Sequence, residues 1–213
     1  MVFYYLEYTL LFFLILVNVV IFFWKRNFDK NHSLIYYFIL GSTANEILLY
    51  VSAYIFKNNV LIYNIFGTFE FLILLYFYYR YTTPSISKKI FISVFISFAT
   101  VFLTELLFKS PFVVTNYSFL FTNVSLVVFS TYSFRIIINK TPTQLISDYS
   151  YFWINCAVVV YYSCTLIIFG LVRLSGTYSV FNTVSRLLLY FFILIYYSLL
   201  AVGLWKASKK QTS

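Results

Sequence analysis

Charged side chains are scarce in this chain of 213 residues. Only 10% of its residues are charged and 62% are hydrophobic, whereas a soluble domain is typically about 25% charged and about 45–50% apolar. A chain of this size leaves roughly 30% of its surface facing solvent, and so few charges do not cover it. The composition excludes a soluble enzyme, a nucleic-acid-binding domain and a disordered tail, and it predicts an integral membrane protein.

Residues that carry particular chemistries are also few. The two cysteines, Cys156 and Cys164, lie eight residues apart in one apolar run, about 12 Å along a helix. This exceeds the reach of about 7 Å between the Cα atoms of a disulfide, so both are predicted to be free. The single histidine, His32, is predicted to lie in the first loop, at the membrane edge.

These shortages bear on catalysis. Metal-dependent intramembrane hydrolases need clusters of histidine and aspartate, and a serine or cysteine nucleophile paired with a histidine would have to use His32. A retinal protein needs a lysine inside a helix, and every lysine here lies at a helix end or in a loop. We therefore expect a non-enzymatic protein without metal or cofactor, with an intramembrane lipid enzyme as the alternative.

Long apolar runs are what the chain does contain. About 20 apolar residues span the hydrocarbon core of a bilayer, and continuous runs of this length favour helices over the alternating strands of a barrel. The first run has no basic segment before it and no cleavage site, so it is predicted to be a retained helix and not a signal peptide. We predict an all-α fold, a polytopic seven-transmembrane-helix bundle in one domain of residues 1–213, with helices at 2–24, 34–56, 60–81, 90–108, 117–138, 151–172 and 181–205.

The positive residues predict the orientation. Of the 15 lysines and arginines, eleven follow helices 1, 3, 5 or 7, and four lie on the other side. Cytoplasmic loops carry the excess of lysine and arginine, so the N-terminus is predicted outside and the C-terminus in the cytoplasm. The net charge of +9 is thus an orientation signal, and no nucleic-acid partner is expected.

Two glutamates fall deep inside predicted helices. A carboxylate at the bilayer centre costs about 2.5–3.5 kcal/mol, which makes such residues functional candidates. Glu46 lies twelve residues before Asn58 and Glu70 twelve after it, so both are expected at the same depth. The alternative is that polar groups here only hold the bundle together by interhelical hydrogen bonds. The predicted buried polar site comprises Glu46, Glu70, Asn45, Asn64, Asn123 and Asn155, with Tyr63, Tyr161 and Tyr162 as further candidates.

A second group of charges is predicted near the outer face. It consists of Glu7, Glu105, Arg173 and Arg186. Arg186 is expected to extend to the interface or to pair with Glu105 or Glu7. The cluster acts either as orientation anchors and structural ion pairs, or as a clamp for an extracellular ligand.

The stretch NNVLIYNIFGTFEFLILLYFYYRY, residues 58–81, resembles a pattern in small uncharacterised bacterial seven-helix membrane proteins. The matching positions are Asn58 or Asn59, Tyr63 and Glu70. The outline is also similar to the membrane sensor domains of histidine kinases, without the kinase. The resemblance implies multi-pass residence in the bacterial cytoplasmic membrane and directs attention to Glu70.

Three functions remain open. The first is a receptor-like or sensor-like bundle that binds a small molecule or ion around Glu46 and Glu70 and acts through a membrane or cytoplasmic partner protein. The second is a small transporter or channel that uses the same acids to couple protons or cations. The third is an accessory subunit of a larger or defence complex. All three place the chain in a lipid bilayer.

Overall fold

The computed structural model describes residues 2–25, 28–82, 86–109, 115–140, 145–175 and 179–210. Within these ranges the chain is helical and contains no strand, which confirms the all-α prediction. Seven of its helices are long and apolar enough to cross a membrane. They are α1 Val2–Trp24, α2 Lys30–Phe56, α3 Val60–Thr82, α4 Lys88–Phe108, α5 Asn116–Lys140, α6 Ser150–Ser175 and α7 Ser179–Lys210, with a short 3-10 helix at Ile146–Asp148.

Capping residues move the helix bounds outward from those predicted. The predicted start of helix 2 at residue 34 is wrong, because the Asp29 side chain accepts hydrogen bonds from the backbone N–H groups of Asn31 and His32, at 2.8 Å each. Such a cap satisfies donors that a helix start leaves unpaired. Ser87 caps α4 in the same way. The ends of α5, α6 and α7 also extend two to five residues beyond the predicted 138, 172 and 205.

The helices form a ring with one outlier. Helix α1 packs on α2 and α7, α3 packs on α2 and α5, and α6 lies between α5 and α7. Helix α4 contacts α5 and α3 from outside, and its buried residues Phe91, Phe98 and Glu105 recur every seven positions along one stripe. Helices α2 and α3 meet at Lys57–Asn59, and we call this end of the bundle the α2–α3 end.

The opposite half of the bundle is densely packed. Its fully buried side chains come from six helices, so little space remains between them. Side chains there with no exposed surface include Ile21, Ile35, Phe38, Ile39, Leu74, Phe77, Tyr78, Ile137, Ile154, Val158, Leu200 and Leu204.

The exterior, in contrast, is apolar. Phe108 is 89% exposed, Tyr54 83% and Leu107 82%. A contiguous apolar exterior is not tolerated in water, so this surface agrees with the prediction of lipid surroundings.

Helices α6 and α7 approach closely at Gly203. A Cβ atom at this position would lie 3.1 Å from the carbonyl oxygen of Ser150 and 2.9 Å from Cγ1 of Ile154. Only glycine therefore fits between the two helices at this point. Cys156 and Cys164, both on α6, are free, as predicted. The three prolines, Pro84, Pro111 and Pro142, lie outside the described residues.

Candidate functional site

A cavity of about 130 Å³ lies among α2, α3, α5, α6 and α7, toward the α2–α3 end. Glu46 and Glu70 both line it. Glu46 lies ten residues before Phe56, where α2 ends, and Glu70 ten residues after Val60, where α3 begins. Each is thus about 15 Å along its helix from the α2–α3 end, and their equal depth in the membrane stays a prediction. Asn45 also lines the cavity.

Glu70 is held from across the cavity by α6. The Tyr162 hydroxyl donates a hydrogen bond of 2.6 Å to Oε1 of Glu70. A bond this short is typical of a donor to a charged or strongly polar acceptor. Tyr161 and Tyr63 line the same cavity, so the three tyrosines singled out in the sequence lie around one space.

Tyr196 and Tyr197 of α7 complete this aromatic wall. The ring of Tyr196 stacks on that of Tyr161 with centroids 4.6 Å apart, and it meets Tyr162 edge-on at 6.1 Å. Tyr196 is 1% exposed, and its hydroxyl has no hydrogen-bond partner in the described part of the chain. A buried polar group without a partner is rare in native proteins and calls for an explanation.

Helix α5 closes the cavity with small polar side chains. Thr115, Ser118 and Thr122 line it. Asn64 of α3 also lines it, and its Oδ1 accepts hydrogen bonds of 3.3 Å from both the backbone N–H and the hydroxyl of Thr115. Asn64 therefore fixes the start of α5 against α3, and the wall is built from side chains that also hold the helices in place.

The other two predicted members of the polar site lie elsewhere. Asn155 is fully buried. It accepts a hydrogen bond from the Tyr78 hydroxyl at 3.1 Å and donates to the Tyr151 carbonyl at 2.7 Å. Asn123 is also fully buried, and its amide has no hydrogen-bond partner among the described residues. Neither residue is part of the described cavity lining.

Contacts are described for Glu105 and Glu7 of the predicted outer-face charge cluster, and the cluster as a whole stays a prediction. Glu105 is buried and forms its ion pair with Lys109, at 3.1 Å. It does not use Arg186 for this pair, because Lys109 lies one turn away on the same side of α4. Glu7 accepts a hydrogen bond of 3.4 Å from the Tyr190 hydroxyl, and Arg186 is exposed. The side chain of Arg173 lies outside the described residues.

Glu105 instead fastens α4 to the start of α5. Its Oε2 accepts hydrogen bonds from the backbone N–H and the hydroxyl of Ser118, at 2.8 and 2.6 Å. Its Oε1 accepts one from the backbone N–H of Tyr117, at 3.0 Å. A carboxylate at this position satisfies unpaired donors and interacts favourably with the helix dipole. The role of Glu105 is therefore structural.

The prediction that His32 lies in a loop is wrong. His32 is buried in the first turn of α2, because the Asp29 cap starts that helix early. Its Nδ1 lies 2.8 Å from Oδ1 of Asp29, and its Nε2 lies 2.8 Å from Oγ of Ser150 at the start of α6. Asn31 also bonds the Tyr151 hydroxyl, at 3.1 Å. These contacts join α2 to α6 at the end opposite the cavity.

Hydrogen bonds link Asp29 to His32 and His32 to Ser150, in the same order as the aspartate, histidine and serine of serine hydrolases. Here, however, Ser150 is itself buried, and its backbone carbonyl packs against Gly203. The pKa of Asp29 is lowered: burial acts to raise it, but the side-chain and backbone hydrogen bonds from His32 and the attraction of that imidazole outweigh burial. The geometry is that of a structural tie between helices.

In the described ranges, no three of His, Cys, Asp and Glu form a group able to hold a metal ion. No protein family, curated protein or solved structure matches the chain. Functional assignment therefore depends on the cavity.

Sequence reasoning missed the contribution of α7 to the cavity. A signal was nevertheless present: the tripeptide Tyr-Tyr-Ser occurs at 161–163 in α6 and again at 196–198 in α7. The structure places both tyrosine pairs in one wall. Ser118 and Thr122 carry no comparable signal, because isolated hydroxyl residues are common in apolar helices.

Proposed function

We propose that this chain is a receptor-like multi-pass membrane protein that binds a small molecule in the cavity and acts through a partner protein. In this proposal the N-terminus lies outside, the cavity lies in the outer half of the bilayer, and the C-terminus reaches the cytoplasm. The resemblance of residues 58–81 favours the bacterial cytoplasmic membrane. No catalytic step is part of the proposal.

The observation that carries the proposal is the position of Glu46 and Glu70 in the wall of one cavity. Burying carboxyl groups in an apolar bundle is costly. The hydrogen bond between Tyr162 and Glu70 gives one of the two acids a role in bundle stability, but it gives none to Glu46. A bound ligand accounts for both acids in the cavity wall.

The uneven packing supports binding in preference to conduction. The cavity occupies only the half of the bundle near the α2–α3 end, and fully buried side chains such as Phe38, Phe77 and Leu204 fill the other half. Each of the seven helices is also continuous within the described residues, whereas many transporters use helices that are broken at the binding site. A pre-formed pocket in one half of the bundle, next to a densely packed half, suits a protein that binds a ligand and transmits the binding to a partner.

The experiment uses the native tryptophans. Trp24, Trp153 and Trp205 lie at the end opposite the cavity, so their emission reports changes transmitted through the bundle. The purified chain in lipid nanodiscs is titrated with a panel of amines, carboxylic acids, alcohols and amides of up to about six non-hydrogen atoms. We expect at least one compound to change the emission saturably.

Variants locate the response. Glu70→Gln and Glu46→Gln should weaken it, and Tyr162→Phe provides a milder change if a glutamate variant fails to fold. Tyr78→Phe is the matched control, because it removes a buried hydroxyl that bonds Asn155 outside the cavity wall, and it should leave the response intact.

Two other results would replace the proposal. Uptake of an active compound into proteoliposomes, abolished by Glu70→Gln, would indicate a transporter. No response to any compound, together with stable co-purification of other subunits, would indicate an accessory subunit.

A further inference from the structure

The cavity wall carries two carboxyl groups and, among the described residues that line it, no cation. Its described lining contains Glu46 and Glu70, and none of the described lining residues is a lysine, arginine or histidine. The described ion pairs involve Asp29, Glu105 and Asp148, so neither cavity acid belongs to one. An ionised carboxylate in such a space is strongly disfavoured unless a positive group is brought to it.

The rest of the wall is aromatic. Tyr161, Tyr162, Tyr196 and Tyr197 stand on α6 and α7, on the side of the cavity across from the two acids. The stacking of Tyr161 on Tyr196 and the edge contact between Tyr162 and Tyr196 hold these rings in fixed orientations. Aromatic rings attract cations through the negative face of the π system, and aromatic cages are a known way to bind ammonium groups.

An unused hydrogen-bonding group in the cavity points to a polar group on the ligand. The Tyr196 hydroxyl is buried, lines the cavity and has no hydrogen-bond partner among the described residues. The Tyr162 hydroxyl donates its hydrogen bond to Glu70, so its oxygen can still accept a hydrogen bond. A ligand with several N–H donors satisfies a carboxylate and these tyrosine oxygens together.

The size of the space limits the ligand. A cavity of about 150 Å³ in another protein holds one benzene molecule, and the volume here is about 130 Å³. About five or six non-hydrogen atoms therefore fit.

We propose that the cavity binds a small primary amine in its ammonium form, with the charge at Glu70 and the carbon chain against the tyrosine rings. This inference rests on the proposed function, since it names the chemical class of the ligand for the same cavity. It makes Glu70 the counter-ion of the ligand, and it gives the Tyr196 hydroxyl a partner.

The test compares three probes of five non-hydrogen atoms each: n-butylammonium, its neutral analogue 1-butanol, and tetramethylammonium, which has no N–H donor. Binding to the full chain in nanodiscs is followed by ligand-observed NMR titration, with sodium and potassium chloride as further arms. We expect n-butylammonium to bind at least about tenfold more tightly than 1-butanol, as loss of hydrogen bonds to a charged group implies. Tetramethylammonium should bind more weakly than n-butylammonium.

Variants test which groups recognise the charge. Glu70→Gln should weaken n-butylammonium by about tenfold or more and leave 1-butanol within about twofold. Tyr196→Phe should weaken n-butylammonium several-fold. Tyr78→Phe is the matched control, because it removes a fully buried hydroxyl that bonds Asn155 outside the cavity, and it should change neither affinity.

The inference is overturned if 1-butanol or tetramethylammonium binds as tightly as n-butylammonium, if sodium or potassium displaces it at equal concentration, or if no saturable binding occurs up to roughly 10 mM. Its failure differs from failure of the proposed function. A neutral or acidic compound that changes the tryptophan emission through the cavity would contradict the amine and leave the receptor-like function standing.

Discussion

Glu105→Gln tests how α4 is held to the bundle. This carboxylate accepts hydrogen bonds from Tyr117 and Ser118 at the start of α5 and from Lys109 on its own helix. Glutamine has nearly the same shape, but its NH2 group donates. One of the α5 donors therefore loses its acceptor inside a buried contact.

The magnitude follows from these contacts. Each hydrogen bond to a charged group contributes about 1.5–3 kcal/mol, and a charge at a helix start contributes up to about 2 kcal/mol. Removing the charge while keeping the shape should cost about 2–4 kcal/mol. For a chain of this length each kcal/mol shifts the unfolding midpoint by about 2–4 °C, so we expect a fall on the order of 10 °C.

The assay is thermal unfolding in detergent micelles, followed by tryptophan emission. Lys109→Gln is the control: the Lys109 side chain is 34% exposed, and an exposed partner contributes no more than about 1 kcal/mol. Equal losses in the two variants would refute the capping explanation, since the ion pair would then carry the stability. A double-mutant cycle with Ser118→Ala should give a coupling energy of about 0.5–3 kcal/mol.

Three further predictions concern the opposite end. Gly203→Ala should destabilise by about 1–3 kcal/mol, because its Cβ meets α6. Gly170→Ala, with nothing within 4 Å of the new Cβ, should be neutral or stabilising, and equal effects in thermal unfolding would contradict the close approach. Asp29 has a native pKa below its ordinary value of 3.8, so its contribution to the stability of the fold is complete above about pH 4 and is lost as the pH falls further. Asp29→Asn should lower the stability at neutral pH and reduce this acid dependence in unfolding measured over a range of pH. Ser150 should not react with a fluorophosphonate, and labelling that His32→Ala abolishes would show a catalytic relay in place of a structural one.

The helices were predictable from the sequence because each is a continuous apolar run, and length alone identifies such runs. The first turns of the helices were not predictable, because a hydropathy pattern does not include polar residues such as Lys30. Such residues still belong to a helix when a capping residue such as Asp29 precedes them. That error also placed His32 in a loop and hid its contact with Ser150.

The two acids of the site were predictable for a related reason. In a chain with only six acidic residues, Glu46 and Glu70 stand out, and helix geometry puts them at one depth. Which other polar residues join them depends on how the helices rotate against one another. Tyr196 turns toward the cavity, whereas Asn123 and Asn155 turn away, and no local pattern encodes that difference.

The tie between His32 and Ser150 has a consequence for biosynthesis. The two residues are 118 positions apart, and ribosomes add roughly 5–20 residues per second, so Ser150 emerges about 6–24 s after His32. During that interval the imidazole lacks its partner on α6. The early helices are thus left with an unpaired polar group until the sixth is made, so the contact between α2 and α6 is among the later ones to form during synthesis.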